Sequence, residues 1–302
     1  MLHSSLRRSR EAMMRNRLSR REGMVAVTFL LPSAIGFALF YLIPFGMGLV
    51  YSVLDRTVGG SFVGLSNYQE LLSSDSFRKA ASNTFWFTAV NVPLMLMLSL
   101  GIALVLNRNL YLRQFLRMAY VLPLVVPVAS VVMVWQVLFD WNGSLNAWMH
   151  AAGLEQIDWM KSAWARGVIS VFYLWKHIGY NIILFLAGLQ GIPRDYYETA
   201  ELEGAGKWRQ CYGITLVYLT PTMVFVVLMS IMNTFKIFRE TYLIAGDYPH
   251  DSIYTLQHFM NNMFLAMDVQ KLSAAATLMV IGIFIIVAML LRLEKRYTQF
   301  ME

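Results

Sequence analysis

Six stretches of this 302-residue chain are each long and apolar enough to cross the hydrocarbon core of a bilayer, which takes about 20 residues of helix. They lie at 24–52, 85–106, 118–139, 168–189, 216–238 and 272–291. Four contain no charged residue, and the other two hold only Lys176 and Lys236. A surface helix of a soluble domain would carry charge on its outward face, so the pattern predicts membrane spans. Composition agrees: 57% of residues are hydrophobic and 14% charged, against about 25% charged in soluble domains. The first stretch starts after residue 23, runs long and ends without a small-residue cleavage site, which predicts a retained helix rather than a removable signal peptide.

Orientation follows from Lys and Arg in the short connections. The tail 1–23 carries seven, and the 107–117 loop, the 190–215 loop and the segment after 291 carry three each; the alternate loops 53–84, 140–167 and 239–271 carry three, two and two. Both termini and the 190–215 loop are therefore predicted on the cytoplasmic side of the membrane. The net charge of +7 fits this asymmetry and an anionic inner leaflet, with no call for a nucleic-acid partner. The chain reads as a basic tail (1–23) and one six-helix membrane domain (24–297). A short helix or two is expected on the outer face before the second span. Trp141, Trp148, Trp159 and Trp164 of the outer 140–167 loop are expected to anchor at the membrane interface.

Reactive chemistry is sparse. There is no GxxxxGK[ST], HExxH, CxxC or GxSxG, and the "GAGK" at 204–207 lacks the upstream glycine and the following hydroxyl of a phosphate loop. Cys211 stands alone, and the five histidines offer no close pair on one helix face, so no disulfide, metal or other cofactor is expected. Energy for any transport must come from an ion gradient or another subunit.

Between two apolar spans, "YYETAELEGAGKWRQCYGITLVYLTP" (196–221) is charged and punctuated by glycine. Tyr197, Ala200, Ala205, Trp208 and Tyr212 recur at helical intervals as an apolar stripe, while Glu198, Glu201 and Glu203 face away. "EGAG" supplies a bend between two helices. Acidic side chains disfavour lying on anionic lipid, which leaves docking to a protein as the better reading.

These residues also resemble a known family. The cytoplasmic EAA loop of ABC importer permeases has Glu-Ala-Ala, a Gly four residues on, nine residues, then Ile-x-Leu-Pro; here stand Glu198, Thr199, Ala200, Gly204, nine residues, Ile214 and Leu216. The chain departs at Thr199 and Val217. "IPRDYYETAELEGAGKW", "GLSNYQELL" and "RMAYVLPLVVPVAS" are similar to the carbohydrate-uptake branch. The resemblance implies an all-α type I importer permease fold of six transmembrane helices. It implies a second similar permease, a cytoplasmic ATP-binding subunit dimer, an extracytoplasmic solute-binding protein and a sugar substrate, with ATP hydrolysis on the partner and no enzyme activity here. Glu198, Thr199 and Ala200 would lie in the docking helix, Gly204 at the turn, and Ile214 and Leu216 at the start of the next span.

For a substrate path the candidates are polar groups inside spans, which are costly in lipid and face a cavity or a partner. Tyr173, Lys176, His177 and Tyr180 share one face of the fourth span; Ser230, Asn233, Thr234 and Lys236 mark the fifth. Tyrosines and amides suit sugars, and the two lysines raise an anionic alternative such as a uronate or phosphorylated polyol. An ion-coupled secondary transporter is the competing class; it should show carboxylates at mid-membrane, and no Asp or Glu falls within the six stretches.

Overall fold

A computed structural model describes residues 25–108, 111 and 113–298, so the basic tail lies outside the described residues. Eleven helices follow in order: α1 (Val25–Tyr51), α2 (Ser66–Ser73), α3 (Asp75–Leu106), α4 (Arg113–Val125), α5 (Val128–Phe139), α6 (Ser144–Ala151), α7 (Ala165–Gln190), α8 (Arg194–Leu202), α9 (Lys207–Ala245), α10 (Leu256–Leu265) and α11 (Val269–Thr298). Five of them, α1, α3, α7, α9 and α11, are long and apolar enough to span a bilayer.

The third expected span, 118–139, is broken. α4 meets the run Val128–Ala151, which holds α5 and α6, at 98° across residues 126–127, because Pro127 leaves helical space (φ −56°, ψ 137°), has no N–H to continue the ladder and pushes its predecessor toward extended backbone. Hydropathy has no term for this. Two other boundaries also move. α3 begins at Asp75 rather than 85: extended Ser74 precedes it and Asp75 complements its positive end. Only one separate short helix, α2, therefore precedes it. α9 runs on past residue 238 to Ala245, with a loosened turn at 236–237.

α7 is the axis of the bundle. Its N-terminal half joins Phe87 and Met95 of α3 and Val132 and Trp135 of α5 in one buried cluster; its C-terminal half joins Ala103 and Leu106 of α3 and Leu219 and Val226 of α9 in another. Lipid tails are as apolar as leucine, so such helices associate through close van der Waals packing rather than a hydrophobic force. Two glycines make that packing possible. A Cβ on Gly179 would sit 1.8 Å from the Tyr120 carbonyl oxygen of α4, and one on Gly188 would sit 2.7 Å from Leu219 Cδ2 and 2.8 Å from Thr222 Oγ1. A third cluster ties α2, α3, α10 and α11 through Leu71, Phe77, Phe259 and Ala274. α1 has no buried residue and meets the bundle along α11 through its second half, Ile43–Tyr51.

α10 starts with a reciprocal cap in which the Thr255 hydroxyl accepts from the His258 N–H, and His258 Nδ1 accepts from the Thr255 N–H at 3.4 Å. The ring is fully buried against Phe238, and burial pushes its pKa down from 6.5 to about 4.

Two measurements check this packing. Gly179→Ala is expected to cost about 1–3 kcal/mol through overpacking and to lower the melting temperature in detergent. Gly36→Ala, where a Cβ would meet nothing within 4 Å, leaves it unchanged. For His258, the unfolded chain takes up a proton near pH 6.5 and the folded chain only near 4. Its contribution is thus present above about 6.5 and lost as pH falls toward 4. His258→Gln, which keeps an acceptor for the cap, should flatten the acid limb of stability against pH over that window.

Candidate functional site

The 190–215 loop is built around two short pieces of helix. Pro193, with ψ 138°, sets the start of α8, and Asp195 complements its first turn. The helix ends at Gly204, whose φ of +80° is left-handed and favours glycine. Nothing lies within 4 Å of a Cβ there, so the requirement is conformational rather than spatial. The Gly204 N–H donates to Glu201 O (3.0 Å) and the Ala205 N–H to Ala200 O (2.8 Å), satisfying the last carbonyls. Gln210 Nε2 donates to Ala205 O (2.9 Å), holding the second helix against the turn. The Tyr197 hydroxyl meets Thr215 Oγ1 at 2.9 Å, a direct tie from α8 to α9. Ile214 packs with Tyr197 on the cluster of Leu189, Ile192 and Leu219.

Glu198 and Thr199 are exposed, Ala200, Ile214 and Leu216 half-buried. Thr199 thus puts its hydroxyl on the surface while its carbonyl accepts from Glu203 N–H (3.0 Å). Val217 simply continues the helix after a wide turn at Cys211–Thr215. The expected apolar stripe divides. Tyr197 packs on the bundle and Ala200 and Ala205 are half-buried, whereas Trp208 (79% exposed) and Tyr212 (65%) stack on each other, 6.3 Å between centroids, and face outward.

The polar residues of the spans separate into two sets. Tyr173, Lys176, Ser230 and Thr234 are buried in internal bonds. The Tyr173 hydroxyl donates to Ser230 O (2.8 Å), Asn181 Nδ2 donates to Ser230 Oγ (3.2 Å), and Thr234 Oγ1 lies 3.0 Å from Thr88 Oγ1 of α3. Lys176 Nζ donates to Glu240 Oε1 in a buried ion pair. His177, Tyr180 and Asn233 are half-buried and Lys236 is exposed. His177 lies against the Tyr173 ring at 5.1 Å.

Glu240 is the residue that hydropathy missed, two positions beyond the expected fifth span. The absence of carboxylates from the spans does not survive the extension of α9 to Ala245. A signal was available: two lone lysines in apolar sequence call for a partner, and the nearest acid to the fifth span is Glu240.

At the end opposite the 190–215 loop, Arg166 Nε donates to Ser252 O (3.0 Å) and its Nη2 to Asn83 Oδ1 (2.9 Å), with the guanidinium 4.7 Å from the Trp86 ring centroid. Asn83 Nδ2 donates to Asp251 O (2.6 Å) and Tyr254 O (2.9 Å). This network fastens the 246–255 connection onto α3 and α7. Of the four tryptophans of the 140–167 loop, Trp141, Trp148 and Trp164 are exposed. Trp159 differs: its Nε1 donates to Asn146 Oδ1 (3.1 Å) and its ring packs on Phe139.

Comparison with known proteins places this geometry. Residues 95–299 match the model of the binding-protein-dependent transport system inner membrane component family. The sulfoquinovosyl glycerol transport system permease protein of Agrobacterium fabrum is 31% identical, over 85% of each chain. The lactose transport system permease protein of Rhizobium radiobacter is 30% identical, over 78% of this chain and 81% of that one. The trehalose/maltose transport system permease protein of Thermococcus litoralis is 29% identical over the same shares. Among solved structures, a bacterial ABC transporter involved in the import of the acidic polysaccharide alginate superimposes with a TM-score of 0.79 at 19% identity, over 93% of this chain and 99% of that one. The architecture is therefore that of an ABC importer permease, all helical and multi-pass.

The ion pair yields a prediction. Removing one partner, in Lys176→Met or Glu240→Leu, strands a buried charge and is expected to cost about 3–5 kcal/mol. The double variant should be close to neutral. Thermal unfolding of the four proteins in detergent measures the coupling, and additive losses would deny the pair.

Proposed function

The chain belongs to the family of binding-protein-dependent transport system inner membrane components, and we propose that it is the permease half-channel through which a sugar or oligosaccharide enters a bacterial cytoplasm. As a permease subunit it is not itself an enzyme. ATP hydrolysis belongs to a cytoplasmic subunit dimer, delivery to an extracytoplasmic binding protein, and the other half of the path to a second, similar permease. Both termini lie in the cytoplasm, together with the basic tail 1–23 and the 190–215 loop, as the lysine and arginine asymmetry argues. The membrane domain then occupies 24–297.

The observation that carries the reading is the construction of the loop. α8 presents Glu198 and Thr199 to solvent, is closed by left-handed Gly204 and is tied to α9 through Tyr197 and Thr215. That is a rigid handle with one exposed face, suited to seating in a groove of the ATPase and moving α9 when the groove moves. Ala200 supports its inner side, and Ile214 and Leu216 begin the span that it moves. Sugar transport is the work named for several relatives, the lactose and trehalose/maltose permeases among them.

Substrate contacts fall to the half-buried and exposed members of the polar face, His177, Tyr180, Asn233 and Lys236. Tyr173, Lys176, Ser230 and Thr234 shape that face from behind. With Lys176 neutralised by Glu240, an acidic substrate rests on Lys236 alone, and the neutral sugar is the stronger reading. The ion-coupled alternative loses its ground to family membership rather than to missing carboxylates.

Reconstituted with its partner subunits in liposomes, the permease should support sugar uptake that requires ATP and survives an ionophore. Gly204→Val forces a β-branched residue into left-handed backbone. It should reduce ATP-dependent uptake at least about tenfold, a loss of 1.4 kcal/mol or more, while membrane insertion stays normal. Unchanged uptake and unchanged copurification of the ATPase would remove the docking assignment. Lys236→Met should leave uptake of a neutral sugar within about twofold and would abolish that of an acidic one.

A further inference from the structure

At the end of the bundle opposite the 190–215 loop, α5, the connection before α7 and the last turns of α9 surround a cavity of about 370 Å³, within the range of small-molecule sites of about 300–1,000 Å³. Its walls combine two kinds of group. Trp135 and Phe139 are stacked on each other at 5.0 Å and 9°, and Trp141 stands beside them, 48% exposed. Gln136, Asp140, Asp158 and Lys161 supply the polar lining.

The polar groups are oriented by the fold without being used up by it. Gln136 Nε2 donates to Leu243 O (3.2 Å), Asp140 Oδ1 accepts from the Asn142 N–H (3.0 Å), and Asp158 Oδ1 accepts from the Lys161 N–H (3.1 Å). An ionised carboxylate has about four lone-pair positions and an amide two on its oxygen, so each retains acceptor capacity for hydroxyl donors. A second cavity, of about 540 Å³, shares Met160, Lys161 and Ile244 with the first and adds Tyr248, His250 and Asp251. The two adjoin along these shared residues.

Three occupants fit worse than a sugar. A lipid chain would not be met by two carboxylates, an amide and an ammonium; the groove between α3 and α11, lined by Phe85, Leu278, Ile283 and Ile286, is what an apolar occupant would meet. A metal ion lacks its ligands, since among the described residues no three His, Cys, Asp or Glu side chains come together for one. An acidic sugar would face the carboxylates of Asp140 and Asp158 in the first cavity and Asp251 in the second, against the single ammonium of Lys161. A neutral pyranose matches both halves of the lining, its apolar ring face against an aromatic ring and its hydroxyls against carboxylate and amide oxygens.

We infer that this pair of cavities is a sugar subsite at the mouth of the path, binding one or two neutral pyranose rings before they enter the bundle. The inference rests on the proposed function for its orientation and for the identity of its ligand. The test uses the full chain in lipid nanodiscs, with saturation-transfer NMR to maltose and cellobiose as neutral probes and glucuronate as the acidic one. Transfer is expected to the disaccharides and not to glucuronate. Trp141→Ala and Asp158→Asn should each weaken it about fivefold to tenfold. Trp141→Phe should restore most of it, and Trp148→Ala, at an exposed tryptophan outside the cavities, should leave it unchanged. A circular-dichroism melt of each variant separates loss of binding from loss of fold. No transfer to either disaccharide, equal losses in Trp141→Ala and Trp148→Ala, or stronger transfer to glucuronate would overturn the subsite. The two readings fail separately: transfer without ATP-dependent uptake would deny the importer, and normal uptake without transfer would deny only the subsite.

Discussion

The close approach of α4 to α7 at Gly179, against the Tyr120 carbonyl, is the contact on which the rest of the bundle depends. In lipid, burying leucine gains little, so helices are held by backbone proximity and by hydrogen bonds that have no better partner. Once α7 is seated, its polar residues find theirs. Tyr173 and Asn181 reach Ser230 on α9, Ser170 accepts from Asn91 of α3 (3.1 Å), and Lys176 reaches Glu240. These bonds run along both flanks of one helix and set its rotation relative to α3 and α9. The apolar clusters then fill the space that the seam defines.

From that seam, motion has a route. α8 is joined to α9 by the Tyr197–Thr215 contact and by the Gln210 bond across the Gly204 turn. Leu219, one turn further along α9, lies against Gly188 of α7. A displacement of α8 would thus enter α9 at a wide turn, Cys211–Thr215, where the ladder is already loosened, and reach α7 through a contact with no spare volume. In the proposed importer this lets a small shift at the ATPase act on the whole bundle, because tightly packed interfaces move as units.

How much of this was legible in the sequence depended on the kind of force involved. Spans were legible because hydropathy integrates over twenty residues, and the Gly204 turn because glycine between two amphipathic pieces has few other uses. The break at Pro127 was not, since proline is common inside membrane helices and only neighbours decide whether it kinks or ends one. The start of α3 was missed for a related reason: Asn83 and Thr84 look like loop but are buried and bonded. The division of the Tyr197–Tyr212 stripe was hidden because helical spacing does not continue through a left-handed glycine. Lys176 and Ser230 were legible as inward-facing, yet whether a polar side chain meets substrate or another helix is a matter of three-dimensional partners.

The loosened turn at 236–237 shows how a local irregularity selects between those outcomes. In an unbroken helix Lys236 and Glu240 stand four residues apart on one face and would pair with each other. Here Lys236 takes φ −87° and ψ −4°, and Ile237 has a ψ of −13°, so the helix slips its phase between them. Glu240 turns inward to Lys176 while Lys236 remains exposed. The interior is left neutral, which lipid and a tightly packed seam both demand, and a single ammonium is left at the edge of the polar face. Two lysines that look equivalent in sequence thus become a structural ion and an available one, and the backbone at 236–237 makes the choice.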